Sequence, residues 1–504
     1  MKQTSLVLML VTILTKIFGL AREKALAHFF GTSAMADLFI VALSIPMLLT
    51  NLLTGAISTS YIPVYNEIEQ RKGRGRADLF TANVTNSMGI FFFLLSLVAI
   101  VFARPLLSLI SPGFTGAQME RAVLMTRIFL LSMGTTAVGS IYRAYLQIHN
   151  HFVLSVIHPI VMNVLIIFSV AFLSKLGLVP MSLGVLLAFI LQFAIFLPFL
   201  NKDIFRFVLS SKDPYLKTMI ISILPIVLST SVIEFNFIIN KALASLVTSG
   251  GISALNYASK LQGFVTGIVI SSILTVAYPQ MARAIANKDE EGLKKSFSDG
   301  LSLMGLLVIP ATLGLMAFSD EIVALLFQGG AFSAKDAQMT GGVLFYFALS
   351  LPALGFREMV SRIFFASGDV RVPVFNSLLI LGLNLGFSIV LSRLLGLAGL
   401  GLATSLAMIL GGIFLAFSLK KKMKGQLVFF DLLTLGKFLL ASIIMVVLSK
   451  NAYLFLQGSL GLRLALLVAI ALGGLIYLAL LWIFRVPEVK EVLKFIREKR
   501  KGKE

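Results

Sequence analysis

The feature that most constrains this chain is a series of apolar runs, each about 20 residues or longer, recurring from one end to the other. A bilayer's hydrocarbon core is roughly 30 Å thick, and a helix needs about 20 residues to cross it. The spacing predicts spans over residues 4–29, 34–66, 79–103, 119–147, 152–174, 181–200, 216–244, 251–283, 297–318, 338–366, 371–394, 398–419, 434–457 and 461–484. Composition agrees, since 58% of the 504 residues are hydrophobic and 13% are charged, against roughly 25% charged in a soluble domain. Forty glycines suit membrane helices, where small residues let backbones approach closely. The expected fold class is an all-α polytopic membrane protein with about fourteen transmembrane helices.

A net charge of +20 raises the question of nucleic acid, and the placement of the cations answers it. One set of connections carries Lys2, then Arg71, Lys72, Arg74 and Arg76, then Lys202, Arg206, Lys212 and Lys217, then Arg283, Lys288, Lys294 and Lys295. The same side receives Arg371, the run Lys420, Lys421, Lys422 and Lys424, and the tail from Arg485 to Lys503. The alternate connections hold scattered cations such as Arg104, Lys175, Lys335, Lys450 and Arg463. An excess of Lys and Arg in short loops marks the cytoplasmic side. The chain is therefore expected in the bacterial cytoplasmic (inner) membrane, multi-pass, with both ends inside, its basic patches meeting anionic lipid rather than nucleic acid. The first span carries internal charges and no small-residue cleavage site, so it reads as a retained helix rather than a signal peptide. With no cysteine, disulfides and thiolate chemistry are excluded, and His149 with His151 sits in a short connection rather than a metal site. No cofactor is expected.

An internal repeat recurs at an offset near 219 residues. GLVPMSLGVLLAFIL from Gly177 aligns with GLAGLGLATSLAMIL from Gly396, and GFTGAQMERAVL from Gly113 with AFSAKDAQMTGGVL from Ala331. TSYIPVYNEIE from Thr59 resembles LTVAYPQMARAIA from Leu274, and Arg143 with Tyr145 matches Arg362 with Phe364. Six spans per copy is an even number, so the copies share orientation about an axis along the membrane normal. The expected organisation is an N-lobe over 1–200, a cytoplasmic linker over 201–214, a C-lobe over 215–420, two further helices over 421–485, and a basic tail over 486–504.

Charges inside a membrane cost about 2.5 to 3.5 kcal/mol on insertion scales, so they point to a protein interior or a wet cavity. The first helix carries Lys16, Arg22 and Glu23; the second opens with Asp37 and later reads Thr50 and Asn51; the eighth carries Lys260. On an ideal helix Lys16 and Glu23 share a face while Arg22 points elsewhere. These cations suit an anionic substrate such as a phosphate. The competing reading is internal pairing, Lys16 with Glu23 or Lys260 with Asp37. A second constellation, Glu234, Asn384, Ser388 and Thr404, offers the oxygens that Na+ or a proton would use, with Glu234–Lys241 pairing as its rival. Arg143 and Arg362 read as snorkelling residues near helix ends. Arg127, Arg357 and Glu358 have no assigned role.

These residues carry a resemblance to a known family. TKIFGLAREKALAHFFGTSAMADLFIVALSIP from Thr15, GAISTSYIPVYNE from Gly55, LNYASKLQGFVTGIVISSILTVAYPQMAR from Leu255 and LFQGGAFSAKDAQMT from Leu326 are similar to the MurJ (MviN) lipid II flippases, within the multidrug and oligosaccharidyl-lipid exporter superfamily. The resemblance covers essentially the whole chain. It implies a V-shaped pair of lobes, a cationic cavity made by helices 1, 2, 7 and 8, and a groove for the lipid tail at helices 13 and 14. Arg22 falls on the family's arginine after its G-[FL]-x-R turn, Glu23 where an aspartate is usual, Lys16 and Lys260 on arginine positions, and Asp37 on an aspartate. Where the family reads paired arginines in the second helix, this chain has Thr50 and Asn51.

The expected function is a flippase carrying an undecaprenyl-diphosphate-linked glycan precursor, foremost peptidoglycan lipid II, from the inner to the outer leaflet by alternating access. Substrate contacts are assigned to Lys16, Arg22, Glu23, Asp37, Asn51 and Lys260, and cation coupling to Glu234, Asn384, Ser388 and Thr404. Alternatives are a flippase for another prenyl-linked polysaccharide unit and a cation-coupled small-molecule exporter. A glycosyltransferase would need a general base in a sizeable outer loop, where Asp320, Glu321 and Asp336 are the only obvious cluster. Expected partners are the lipid-linked glycan, membrane lipids and cell-wall synthesis proteins, around a monomer.

Overall fold

A computed structural model describes residues 2–423 and 432–486, so Lys424 and the basic tail beyond residue 486 lie outside the described residues. Within them the chain is almost entirely helical, its one β-bridge joining Gly329 to Phe332. Eighteen helices follow in order: α1 (Lys2–Phe30), α2 (Ala34–Lys72), α3 (Arg74–Val101), α4 (Ala103–Ile110), α5 (Gly116–Leu130), α6 (Met133–Ile148), α7 (Phe152–Phe172), α8 (Leu178–Leu191), α9 (Pro214–Val247), α10 (Gly251–Val265), α11 (Ser271–Ala286), α12 (Glu290–Ala317), α13 (Ser319–Phe327), α14 (Ala334–Ala348), α15 (Leu351–Ala366), α16 (Arg371–Leu395), α17 (Leu397–Lys422) and α18 (Leu432–Ile483). Among the described residues ten helices are long and apolar enough to cross a membrane, eleven if α14 and α15, bent by 43°, count as one span.

Local chemistry sets the helix starts. Ser33 accepts the Ala36 N–H at the head of α2, Asp213 accepts the Tyr215 N–H before α9 with Pro214 at its first position, and Asp289 accepts the Gly292 N–H before α12. Each side chain satisfies an orphan donor at a helix N-terminus. Between α10 and α11 the helix widens into one π turn, Thr266–Ile270, and continues to Ala286 as a single long span. The span expected over 119–147 is broken at Leu131 and Ser132 into α5 and α6. The short helices α4 and α13 were not foreseen, because a run of eight or nine residues carries too little periodicity to separate from the span before it.

Two compact units divide the chain: Met1–Ser253 with Gly329–Ser333, and Ala254–Gln328 with Ala334–Glu504. The first runs past the 201–214 stretch because that stretch is bound to α3. Asn83 donates to the Ser210 carbonyl at 3.1 Å and accepts the Ser210 N–H at 2.8 Å, while Asn86 donates to the carbonyls of Arg206 and Val208 at 3.0 and 3.1 Å. Arg76 pairs with Asp213 at 2.8 Å, and Asn201 donates to Asp78 at 2.7 Å. The next helix, α9, packs along α2, where Lys241 donates to Ser44 at 2.5 Å.

The second unit packs Phe297, Met304, Met359, Phe364 and Leu415 into one cluster. Where α17 crosses α16, a side chain at Gly411 would collide with Ile380, and Asn376 donates to the Gly411 carbonyl at 2.7 Å. Lipid supplies no hydrophobic drive between helices, so such close backbone contact does the holding. Gly461, with φ 73° and ψ 160°, breaks α18 into two arms. Ser449 and Gly473, equidistant from it, meet across the pair, as do Met445 and Tyr477 in one cluster. The helix is a hairpin, matching the two spans expected over 434–457 and 461–484. Leu394 and Phe455, 72% and 84% exposed, are the outward apolar residues that lipid covers.

Candidate functional site

The intramembrane charges fall in both units, and each unit's share has its own geometry. In the first, α1 packs on α7: Thr15 donates to the Val156 carbonyl at 3.2 Å, and the bare Gly19 faces Asn163. One turn on, Arg22 meets α7 too, its Nη1 donating to Asn163 Oδ1 at 3.2 Å. Its Nη2 pairs with Glu23 Oε1 at 2.6 Å, the two side chains being 16% and 4% exposed. The ideal-helix expectation that Arg22 points away from Glu23 is therefore corrected: two long side chains on neighbouring residues fold toward each other once α7 covers them. The Arg22 Nε has no hydrogen-bond partner among the described residues. Lys16 is half-buried and enters no ion pair there, so the Lys16–Glu23 pairing is not made.

Asp37 is buried at the head of α2. Its two oxygens accept the N–H groups of Gly250 and Ser253, both at 2.7 Å, so the carboxylate caps the start of α10. Gly250 stands at φ +81°, and a side chain there would strike the Thr32 carbonyl, so glycine alone presents its N–H this way. Asp37 and Glu23 were expected among the substrate contacts; in the structure both carboxylates are enclosed in protein. Thr50 is buried as well, its hydroxyl bonded back to the Pro46 carbonyl at 2.7 Å, whereas Asn51 is exposed. Lys260, on α10 of the second unit, is exposed.

Of the second constellation, three members come together. Ser388 donates to Asn384 Oδ1 at 2.8 Å, Asn384 donates to Thr404 Oγ1 at 3.2 Å, and Thr404 donates to the Leu400 carbonyl at 3.0 Å, linking α16 to α17. Glu234 belongs to α9 in the first unit, where it is partly buried and stands seven residues before Lys241. Among the described residues no three His, Asp or Glu side chains are grouped as a metal would need. His149 stacks on Tyr145 with ring centroids 4.1 Å apart, and His151 lies 5.5 Å from the Phe199 ring.

Residues given no part in transport by the sequence make contacts of their own. Arg357 donates to Asn376 at 3.1 Å and Ser377 at 2.8 Å and pairs with Glu358 at 3.3 Å, tying α15 to α16. Arg362 lies 5.4 Å from the centroid of the Tyr278 ring. Glu321 is held by Lys450 at 2.6 Å, and partial burial with the Glu321 charge beside it raises the Asp320 carboxyl above its ordinary value. Between α12 and the α18 hairpin lies an apolar cavity of about 790 Å³, lined by Leu303, Leu307, Pro310, Val446, Ile470 and Tyr477 among others. A sequence pattern locates both helices but not the space between them.

Comparison with known proteins agrees over most of the chain. The family profile described as lipid II flippase MurJ matches residues 26–482. A probable lipid II flippase MurJ of Thermotoga maritima is 25% identical over 490 residues, 96% of each chain. The lipid II flippase MurJ of Burkholderia cenocepacia is 27% identical over 423 residues, 82% of each chain. Among solved structures, a lipid II flippase MurJ in an inward closed conformation superposes with TM-score 0.82 at 24% identity, over 95% of this chain and 98% of that one. An inward-facing multidrug resistance MATE transporter of the MOP superfamily shares the fold at TM-score 0.69 and 14% identity, over 84% of this chain and 99% of that one. The chain is a membrane transporter belonging to the MurJ family of lipid II flippases.

Proposed function

We propose that this protein moves lipid II from the inner to the outer leaflet by alternating access between two six-helix lobes. The observation that carries the reading is the family match over residues 26–482, joined to an α1 in which, among the described residues, Lys16 enters no ion pair and Arg22 holds a spare donor. Counting α5 with α6, α10 with α11, α14 with α15, and the two arms of α18 supports about fourteen spans. The short α4 and α13, each following a long span and preceding a broken one, support the repeat. Loop charges favour both ends in the cytoplasm.

In this reading Lys16, Arg22 and Lys260 meet the diphosphate during the cycle, and Asn51 meets the sugar. Glu23 and Asp37 act one step back, orienting Arg22 and the start of α10. The apolar cavity beside the α18 hairpin suits the prenyl chain, which need not leave an apolar environment. A cation biases the lobes only if it binds one state better than the other. Glu234 is its first contact, with the Asn384, Ser388 and Thr404 oxygens as a second set.

Thr50 and Asn51, standing where the resemblance expects paired arginines, favour one second reading: a different prenyl-diphosphate glycan as cargo. Proteoliposomes loaded with labelled lipid II, or with another prenyl-diphosphate glycan, separate the two. Losing one charge-assisted contact costs about 1.5–3 kcal/mol, so Lys16→Ala and Lys260→Ala are each expected to slow transport by roughly tenfold or more. Normal rates in both variants, or no movement of any prenyl-linked substrate, overturns the proposal. Glu234→Gln is expected to remove the sodium or pH dependence of transport; unchanged dependence excludes it as the coupling site.

A further inference from the structure

Arg143 is placed differently from the other arginines of the spans, of which Arg127 donates to the Ile100 carbonyl at 3.3 Å. Arg22 and Arg357 each have a carboxylate at hand, and Arg362 has the Tyr278 ring. Arg143, on α6, forms no ion pair and no hydrogen bond among the described residues, although it is mostly enclosed. A largely enclosed cation needs a counter-charge, and among the described residues no carboxylate pairs with this one.

Arg143 opens instead onto a cavity of about 230 Å³ inside the first unit. Thr50 and Asn51 of α2, Ser140 of α6, His158 of α7 and Gln192 after α8 are among the polar residues that line it. His158 is 8% exposed, and its buried Nδ1 has no hydrogen-bond partner. Its ring is clamped 5.3 Å from Phe193 and 5.4 Å from Phe196, so the nitrogen cannot swing to water. The Gln192 amide uses one proton on the Phe189 carbonyl, at 3.1 Å, and keeps another.

We infer that this cavity is a binding site for a small inorganic monoanion, chloride-like in size and charge, held by the Arg143 guanidinium and the His158 and Gln192 N–H groups. One unpaired guanidinium sets the valence, because a dianion would leave net charge in a low-dielectric wall. A water takes roughly 30 Å³ of liquid volume, so the cavity holds such an ion with several waters. A diphosphate bearing sugars is far larger, so the cavity itself does not hold the cargo, although Asn51, assigned above to the sugar, lines it too. The site lies against Pro46 and Thr50 of α2, so occupancy neutralises the one charge that would loosen α2, α6 and α7 from one another.

The test uses the full-length protein in detergent with chloride replaced stepwise by gluconate. Wild type is expected to broaden the chloride NMR line and to gain about 2–4 °C in Tm at saturating chloride. Arg143→Gln should lose both responses and His158→Phe should weaken them, while Arg362→Gln keeps them. A chloride line unbroadened by wild type, or responses retained in Arg143→Gln, overturns the inference. Should Arg143→Gln fail to fold, bromide-soaked wild-type crystals decide: anomalous density beside Arg143 supports the site, and its absence refutes it.

Discussion

The Arg22 guanidinium is bound to the carboxylate of its own chain neighbour, Glu23, at 2.6 Å, under the cover of α7. Removing one partner of a buried pair leaves the other uncompensated, at a cost of roughly 3–5 kcal/mol. Glu23→Gln is therefore expected to lower Tm markedly in detergent, whereas Glu23→Asp, which keeps the charge, retains most of the stability. Equal losses in the two variants would mean the pair is not what holds Arg22.

Asp37 predicts a different signature. Its two oxygens serve Gly250 and Ser253, so Asp37→Asn, left with a single acceptor oxygen, should cost about 1–3 kcal/mol. Hydrogen exchange reads it locally, as faster exchange at residues 250–253 with α3 unaffected.

The asparagine pair on α3 makes the 201–213 connection part of the first unit. Each hydrogen bond is worth about 1 kcal/mol net, so Asn83→Ala with Asn86→Ala should raise trypsin cleavage after Arg206 and Lys212 roughly tenfold or more. Unchanged cleavage would show that the Arg76–Asp213 and Asn201–Asp78 contacts suffice to fasten the segment.

The absence of cysteine lends itself to a clean geometric test of α18. A Cβ built at Gly473 falls 3.5 Å from that of Ser449, within the range a disulfide requires. Ser449→Cys with Gly473→Cys is expected to cross-link on mild oxidation, seen as joined fragments after cleavage at a site engineered near Gly461. Failure to cross-link would rule out the hairpin.

How much of this was legible in the sequence follows from how far apart the interacting groups are. The apolar runs marked the spans because length and hydropathy are local properties, and Gly461, where the structure breaks α18, stood at the very start of the last expected span. The Asp37 cap was not legible, since its partners come more than two hundred positions later in the chain. Arg22 was misdirected by ideal helix angles, which ignore the reach of a guanidinium. Arg143 lies near the end of α6, where snorkelling was expected, but the cavity beside it was not legible, because its walls come from α2, α7 and the segment after α8, far apart in the chain. Ser388, Asn384 and Thr404 were grouped correctly from spacing along adjacent helices, while Glu234 was grouped with them on chemistry alone.

The α18 hairpin bears on how such a protein is made. Its one deeply buried pair of polar hydroxyls, Ser442 and Ser449, is bonded to its own backbone at Phe438 and Met445, and Ser449 is sheltered by the opposite arm at Gly473. The two serines therefore let the arms of the hairpin pair with each other without help, whereas Tyr477, bonded to the Leu306 carbonyl at 2.8 Å, and Lys450, bonded to the Ala317 carbonyl and to Glu321, find their partners only on α12 and α13. Assembly in the bilayer thus has an order written into it: the arms close on each other first, and the polar groups left over direct the finished pair onto α12.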